Sequence, residues 1–115
     1  MRLTNEEVAR FAGGELEIQN THEDYLFRGE VERVWVDGNT MHVRFKWLAK
    51  MGEDGQWYAD GKLDYSVSLE IASFSDIGKD RLHYQVMYVW ERGTFFPPDG
   101  SKLDPSKVIG LELAR

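Results

Sequence analysis

The chain contains no cysteine, which excludes disulfide staples, thiolate nucleophiles and cysteine-based zinc sites together. No apolar run reaches the length of a membrane span, and the opening stretch MRLTNEEVARF has no signal-peptide core. A soluble, cytoplasmic protein without a membrane partner is therefore expected. Basic charge is scarce: 14 Lys and Arg stand against 20 Asp and Glu, for a net charge of −6. An acidic surface repels phosphate backbones, so nucleic acid is not an expected partner. A Gly-rich phosphate loop, a nucleophile beside a base and a metal-ligand spacing are also missing. No catalytic residues, no metal site and no cofactor are expected on that ground.

What is present is one domain, residues 1–115, with four Trp, five Tyr and six Phe to build its core. Residues 25–51 dominate the pattern. Two β-rich runs, YLFRGEVERVWV and TMHVRFKWLAKM, flank the turn signal Asp37-Gly38-Asn39 and predict a hairpin of strands 25–36 and 40–51. A three-residue loop at 37–39 pairs Trp35 with Met41, Val31 with Phe45 and Phe27 with Ala49, with Gly29 opposite Trp47. The other face then sets Glu32 against Arg44 and Glu30 against Lys46. The excess of acid lies in residues 1–24 and 52–80, and the hairpin is net basic.

Ahead of the hairpin, Thr4 and Glu7 form a capping-box pattern that starts a helix over residues 4–12, ended by Gly13-Gly14. So short a helix must dock on the sheet. A strand follows over 15–19, with Leu16 and Ile18 inward. Beyond the hairpin, strands are expected over 56–58, 63–71 and 82–91, the last two alternating strictly. Pairing Ile71 with Leu82 places Tyr65 beside Tyr88 and Leu63 beside Trp90. Residues 72–81 then form a long connection, Thr94 to Gly100 a loop because of Pro97-Pro98, and 108–113 a last short strand. The fold expected is α+β and mainly β: a short N-terminal helix on a strongly curved antiparallel sheet or small barrel of about five to seven strands. The run from Arg28-Gly29-Glu30-Val31 through Asp37-Gly38 to Val43-Arg44-Phe45 resembles the central strands of SH3-like and Tudor-type barrels. The aromatic-cage positions of a Tudor domain have no residue-by-residue counterpart, so no family is assigned.

Arg33 falls on the inward parity of the hairpin, where a guanidinium needs a partner or water. A bulge at Glu32-Arg33 would turn it outward and bring Val34 and Val36 inward, and this is the favoured reading. The alternative sets Arg33 at the base of a cavity, against the carboxylate or phosphate of an amphipathic ligand, with Trp35, Tyr65, Tyr84 and Tyr88 around it. Trp57-Tyr58 and Phe95-Phe96 lie beside turns and are candidate partner contacts. His22-Glu23-Asp24 reads as a solvated turn. Glu70 and His83 would be cross-strand neighbours, an acid–base pair or an ordinary strand pair. Three functions follow in order: a non-catalytic module acting through protein association, as a homodimer; a carrier or sensor of a small amphipathic or anionic ligand; and an enzyme using Glu70 and His83.

Overall fold

The computed structural model describes residues 3–69, 72–76, 81–86 and 90–112. In chain order they form α1 (Asn5–Ala9), β1 (Glu15–Asn20), β2 (Tyr25–Asp37), β3 (Thr40–Met51), β4 (Trp57–Asp60), β5 (Asp64–Ser68), β6 (Ala72–Asp76), β7 (Leu82–Val86), β8 (Glu91–Phe96) and a 3-10 turn, Pro105–Lys107. One antiparallel sheet takes all eight strands, seven of them in the order β4-β3-β2-β1-β8-β7-β6. β5 also pairs with β3, so β4 and β5 lie end to end along the edge of β3 that faces away from β2. Among the described residues no pairing joins β6 to β4 or β5, and the sheet is open. The fold is mainly β with one short helix, as the alternation patterns predict. Among the described residues no helix is long and apolar enough to cross a membrane.

The hairpin forms, but its register differs from the expected one. The turn is Gly38-Asn39 alone, with Asp37 opposite Thr40 and Gly38 at φ +59, a conformation open to glycine at little cost. Trp35 therefore faces His42 rather than Met41, and Gly29 faces Leu48 rather than Trp47. Val31 does face Phe45, because two irregularities flank that pair. Lys46 is the extra residue on one side and Glu32 on the other. The second irregularity is the bulge anticipated at Glu32-Arg33: Val34 is buried and Arg33 exposed.

Several segments depart from expectation. β5 ends at Ser68, and Trp90 and Glu91, expected in one strand with Leu82–Val86, lie in a turn and in β8. β6 lies within the expected long connection, with Ala72 opposite Val86 and Asp76 opposite Leu82. Leu63 and Trp90 are both half-exposed instead of paired inward. β8 covers the expected loop up to Phe96, because Pro97-Pro98 ends the strand rather than preventing it. The expected strand at 108–113 is, over its described part, a single parallel bridge between Ile109 and Tyr58.

Two apolar clusters hold the layers. On the core face, rows of cross-strand neighbours run across the sheet: Gly29, Leu16, Phe95, Leu82; then Phe27, Ile18, Gly93, Tyr84; then Tyr25, Asn20, Glu91, Val86. α1 docks on this face through Leu3, Val8 and Phe11, the last packed on Phe95 at 5.3 Å between ring centroids. Fully burying such a side chain stabilises by roughly 1.5–3 kcal/mol. The capping box is complete: Glu7 N donates to Thr4 Oγ1 at 3.2 Å and Thr4 N to Glu7 Oε1 at 3.1 Å. Regular helix stops at Ala9, short of the expected Ala12, where three-residue closures take over (Phe11 N to Val8 O, Ala12 N to Ala9 O). β2 overhangs β1, and this segment satisfies the overhang. Gly13 N donates to Val31 O, Val31 N to Gly14 O, and the Asn5 amide bonds both backbone groups of Val36.

On the far face Trp47, Ala49 and Val108 are buried with Trp57, Leu103 and Leu111 against them, so the segment after β8 roofs the end of β3. Glu15, on the same face, is buried. Its carboxylate accepts from Arg28 Nε at 2.7 Å and from Leu103 N at 3.0 Å, while Arg28 also donates to Ser101 O at 2.8 Å. This clasp fastens residues 101–103 to β1 and β2.

Candidate functional site

Two concavities compete. The larger, about 740 Å³, lies on the far face over β2, β3 and β5. Here the Arg33 guanidinium sits 4.3 Å from the Trp35 ring, and Trp35 stacks on His42 at 5.2 Å. His42 Nδ1 lies 2.8 Å from Ser66 Oγ, and Arg44 Nε donates to Asp64 at 3.1 Å. Most of these side chains are exposed and their charges alternate, so a polar ligand would compete with water and with neighbouring side chains for each of them. The smaller, about 420 Å³, opens on the core face and is lined by Ile18, Tyr25, Phe27, Phe45, Leu48 and Tyr65, with Glu91 among them and Glu23, Lys50, Lys62 and Asp64 exposed at its mouth. Apolar walls around a few convergent polar groups are what a ligand pocket needs.

The polar group of the core-face cavity is built by register. Asn20 pairs with Tyr25 on one side and with Glu91 on the other, setting all three in one row on the core face. Tyr84 belongs to the next row, opposite Gly93, and its ring lies where a Cβ of residue 93 would stand. That absence lets the phenol run along the sheet to Glu91. Tyr65 reaches the same carboxylate from β5. Tyr65 and Tyr84 donate to Glu91 Oε2, the latter at 3.4 Å, and their hydroxyls are 2.7 Å apart. Tyr25 donates to Oε1 at 3.4 Å and accepts from Asn20 Nδ2 at 3.4 Å.

Burial raises the Glu91 pKa above the ordinary glutamate value, and the hydrogen bonds from Tyr65, Tyr25 and Tyr84 oppose that shift without cancelling it. All three phenols are raised as well, each first by burial, so none ionises in the neutral range. The only non-glycine residues with positive φ among those described, Asp24 (φ +55) and Trp90 (φ +57), immediately precede Tyr25 and Glu91. Thr21 N donates to Trp90 O at 3.3 Å and ties the two loops together. A tryptophan in the left-handed region is uncommon, and such strain concentrates at functional sites.

The candidate residues are thus divided. Tyr65 and Tyr84 share the core-face cluster, whereas Arg33 and Trp35 lie on the opposite face, and Tyr88 lies outside the described residues. Trp57 is half-buried in the far-face cluster, and Tyr58 is exposed with its hydroxyl on Asp54. Phe95 is fully buried in the core, and Phe96 lies beneath the Arg28 guanidinium at 4.5 Å. His83 faces Ser75 and Thr94, with Nδ1 3.0 Å from Thr94 Oγ1, so the expected Glu70–His83 register does not form; Glu70 itself lies outside the described residues. Burial, aided by Arg92, lowers the His83 pKa. Among the described residues no group of three or more His, Asp and Glu is placed to hold a metal ion.

Sequence reading missed Tyr25 and Glu91. Glu91 took outward parity because the 82–91 alternation was carried through the turn at Trp90. The signal available was Glu91-Arg92-Gly93-Thr94-Phe95, an alternating stretch whose middle inward position is glycine. No protein-family model, curated protein or solved structure matches the chain.

Proposed function

We propose that this protein is a non-catalytic binding module that holds a small amphipathic molecule against the core face of its sheet. The observation that carries the reading is the convergence of three phenol hydroxyls on one buried carboxylate at an opening with apolar walls. Burying a carboxylate is costly, and apolar walls around a few convergent polar groups are the form a ligand site takes. The anionic ligand considered from the sequence drew on Arg33, which lies on the other face, so that part of the carrier reading loses its support. The test is a fragment titration of the full chain followed by methyl and aromatic NMR. Fragments that shift Ile18, Phe45 and Leu48 support the reading. Hits confined to the Arg33–Trp35–His42 groove, or no hits, count against it.

Self-association is a second reading. It draws on Tyr58 and Ile109, bridge neighbours that are 38% and 46% exposed. Sedimentation equilibrium decides it: a mass of 13.3 kDa throughout the accessible concentration range removes it.

A further inference from the structure

Counting donors and acceptors at the cavity floor narrows the ligand. An ionised carboxylate only accepts, and each phenol has a single hydrogen. Those of Tyr25 and Tyr65 are directed at Glu91, and that of Tyr84 at Glu91 or the Tyr65 oxygen. Asn20 supplies a further donor to Tyr25 from behind. The hydrogens are consumed within the cluster, and what the floor turns toward the cavity is lone pairs. Glu91 Oε1 has one long bond at 3.4 Å, which leaves it the less saturated of the two oxygens.

The charge account agrees. Among the described residues no lysine, arginine or histidine forms an ion pair with Glu91; the ion pairs there join Arg28 to Glu15 and Glu17, Arg44 to Asp64, and Lys46 to Glu30. Phenols soften the burial of a carboxylate but bring no counter-charge. The walls add the rings of Tyr25, Phe45 and Tyr65, whose faces attract cations, and that of Phe27, over which the Lys50 ammonium already lies at 5.6 Å.

We infer that the ligand is an organic cation, a protonated amine on an apolar body, with its ammonium at Glu91 Oε1 between Tyr25 and Tyr65. The body lies along Ile18, Phe27, Phe45 and Leu48. This rests on the reading that the core-face cavity holds a ligand. The charged groups facing the site are Glu91 itself and, at the mouth, Glu23, Lys50, Lys62 and Asp64, with the phenols of Tyr25, Tyr65 and Tyr84 neutral around it.

The experiment compares three probes that share one body and differ in the head: 2-phenylethylamine, 2-phenylethanol and 3-phenylpropanoate. Each is titrated into the full chain and followed by NMR shifts of the cavity residues. The amine should bind at least about tenfold tighter than the alcohol, a difference of about 1.4 kcal/mol. Glu91→Gln should abolish that advantage while the alcohol's affinity stays put. A measurement on the unaltered protein stands beside the variant: below the pH at which Glu91 ionises, the amine's affinity should fall by up to about tenfold per pH unit, and the alcohol's should not. Alcohol or carboxylate binding in the cavity as tightly as the amine overturns the cation and leaves the cavity reading intact. So does an amine affinity indifferent to pH and to Glu91→Gln. No shift with any probe up to about 10 mM, the weak end of small-ligand affinity, overturns both.

Discussion

Gly93→Ala should be among the most damaging single methyl additions in this protein. A Cβ at residue 93 would overlap Cε1 and Cζ of the Tyr84 ring, which lies directly across the β7–β8 ladder. The ring has little room to yield: it is fully buried, its centroid is 6.2 Å from that of Phe95, and Tyr65 and Glu91 hold its hydroxyl. Expelling it forfeits the burial of a large aromatic and leaves a void, a change worth about 3–5 kcal/mol by analogy with Phe→Ala substitutions. Against a total stability of about 5–15 kcal/mol this is a large fraction. A double-mutant cycle by urea unfolding isolates the cause. Tyr84→Ala should cost about as much as Gly93→Ala, since both empty the same space. The double variant should be no less stable than Tyr84→Ala, giving a coupling of about 3–5 kcal/mol where independent sites would show under about 0.5. A Gly93→Ala cost under about 1 kcal/mol, or strict additivity, would refute the packing argument, since the same change in an unobstructed strand gains about 0.5–1 kcal/mol.

Other features yield further expectations. Arg28→Met strands the buried Glu15 carboxylate and should cost about 3–5 kcal/mol, with faster hydrogen exchange at the Leu103 amide; adding Glu15→Leu should recover part of that loss. If the single variant is as stable as the parent, the clasp is ornamental. Because the folded pKa of Glu91 is raised, the native state binds more protons than the unfolded one between the two values, and this residue's contribution falls as pH rises through that window. The stability of the parent relative to Glu91→Gln should therefore decline from acid to neutral pH, and a rising difference in paired unfolding curves would reverse the assignment. Arg33→Ala removes an exposed stack on Trp35 and should change stability by less than about 1 kcal/mol. A loss above about 2 kcal/mol would place the guanidinium in the interior after all.

The extent to which the sequence could be read depended on whether one residue's pattern reached its neighbours. The capping box at Thr4 and Glu7, the hairpin arms and the outward turn at Arg33 all leave periodic or positional marks, and all appear in the structure. The hairpin register does not, because the extra residues Glu32 and Lys46 cancel each other and leave the hydrophobic pattern on either side intact. β6 and β8 were missed for the opposite reason. Ala72–Asp76 has a single large apolar residue, Phe74, among small and polar ones, and Glu91–Phe96 places a glutamate and a glycine at inward positions where apolar residues are normally counted. The candidate site was half legible. Tyr65 and Tyr84 follow from inward parity, but Glu91 joins them only because the chain reverses direction at Trp90.

β1 is flanked by β2 on one side and by β8 on the other, so its second neighbour arrives late in synthesis. With about 5–20 residues added per second, the 71 positions from Asn20 to Glu91 keep that edge waiting about 4–14 s on the ribosome. An unpaired strand edge is a template for a neighbouring nascent chain. The residues β1 carries on its far face, Glu15, Glu17 and Gln19, suit that interval: two carboxylates, with only Arg28 of β2 beside them, deter a foreign strand until the Leu103 amide closes over Glu15. The charge buried in the finished protein would thus have served as a guard during its manufacture.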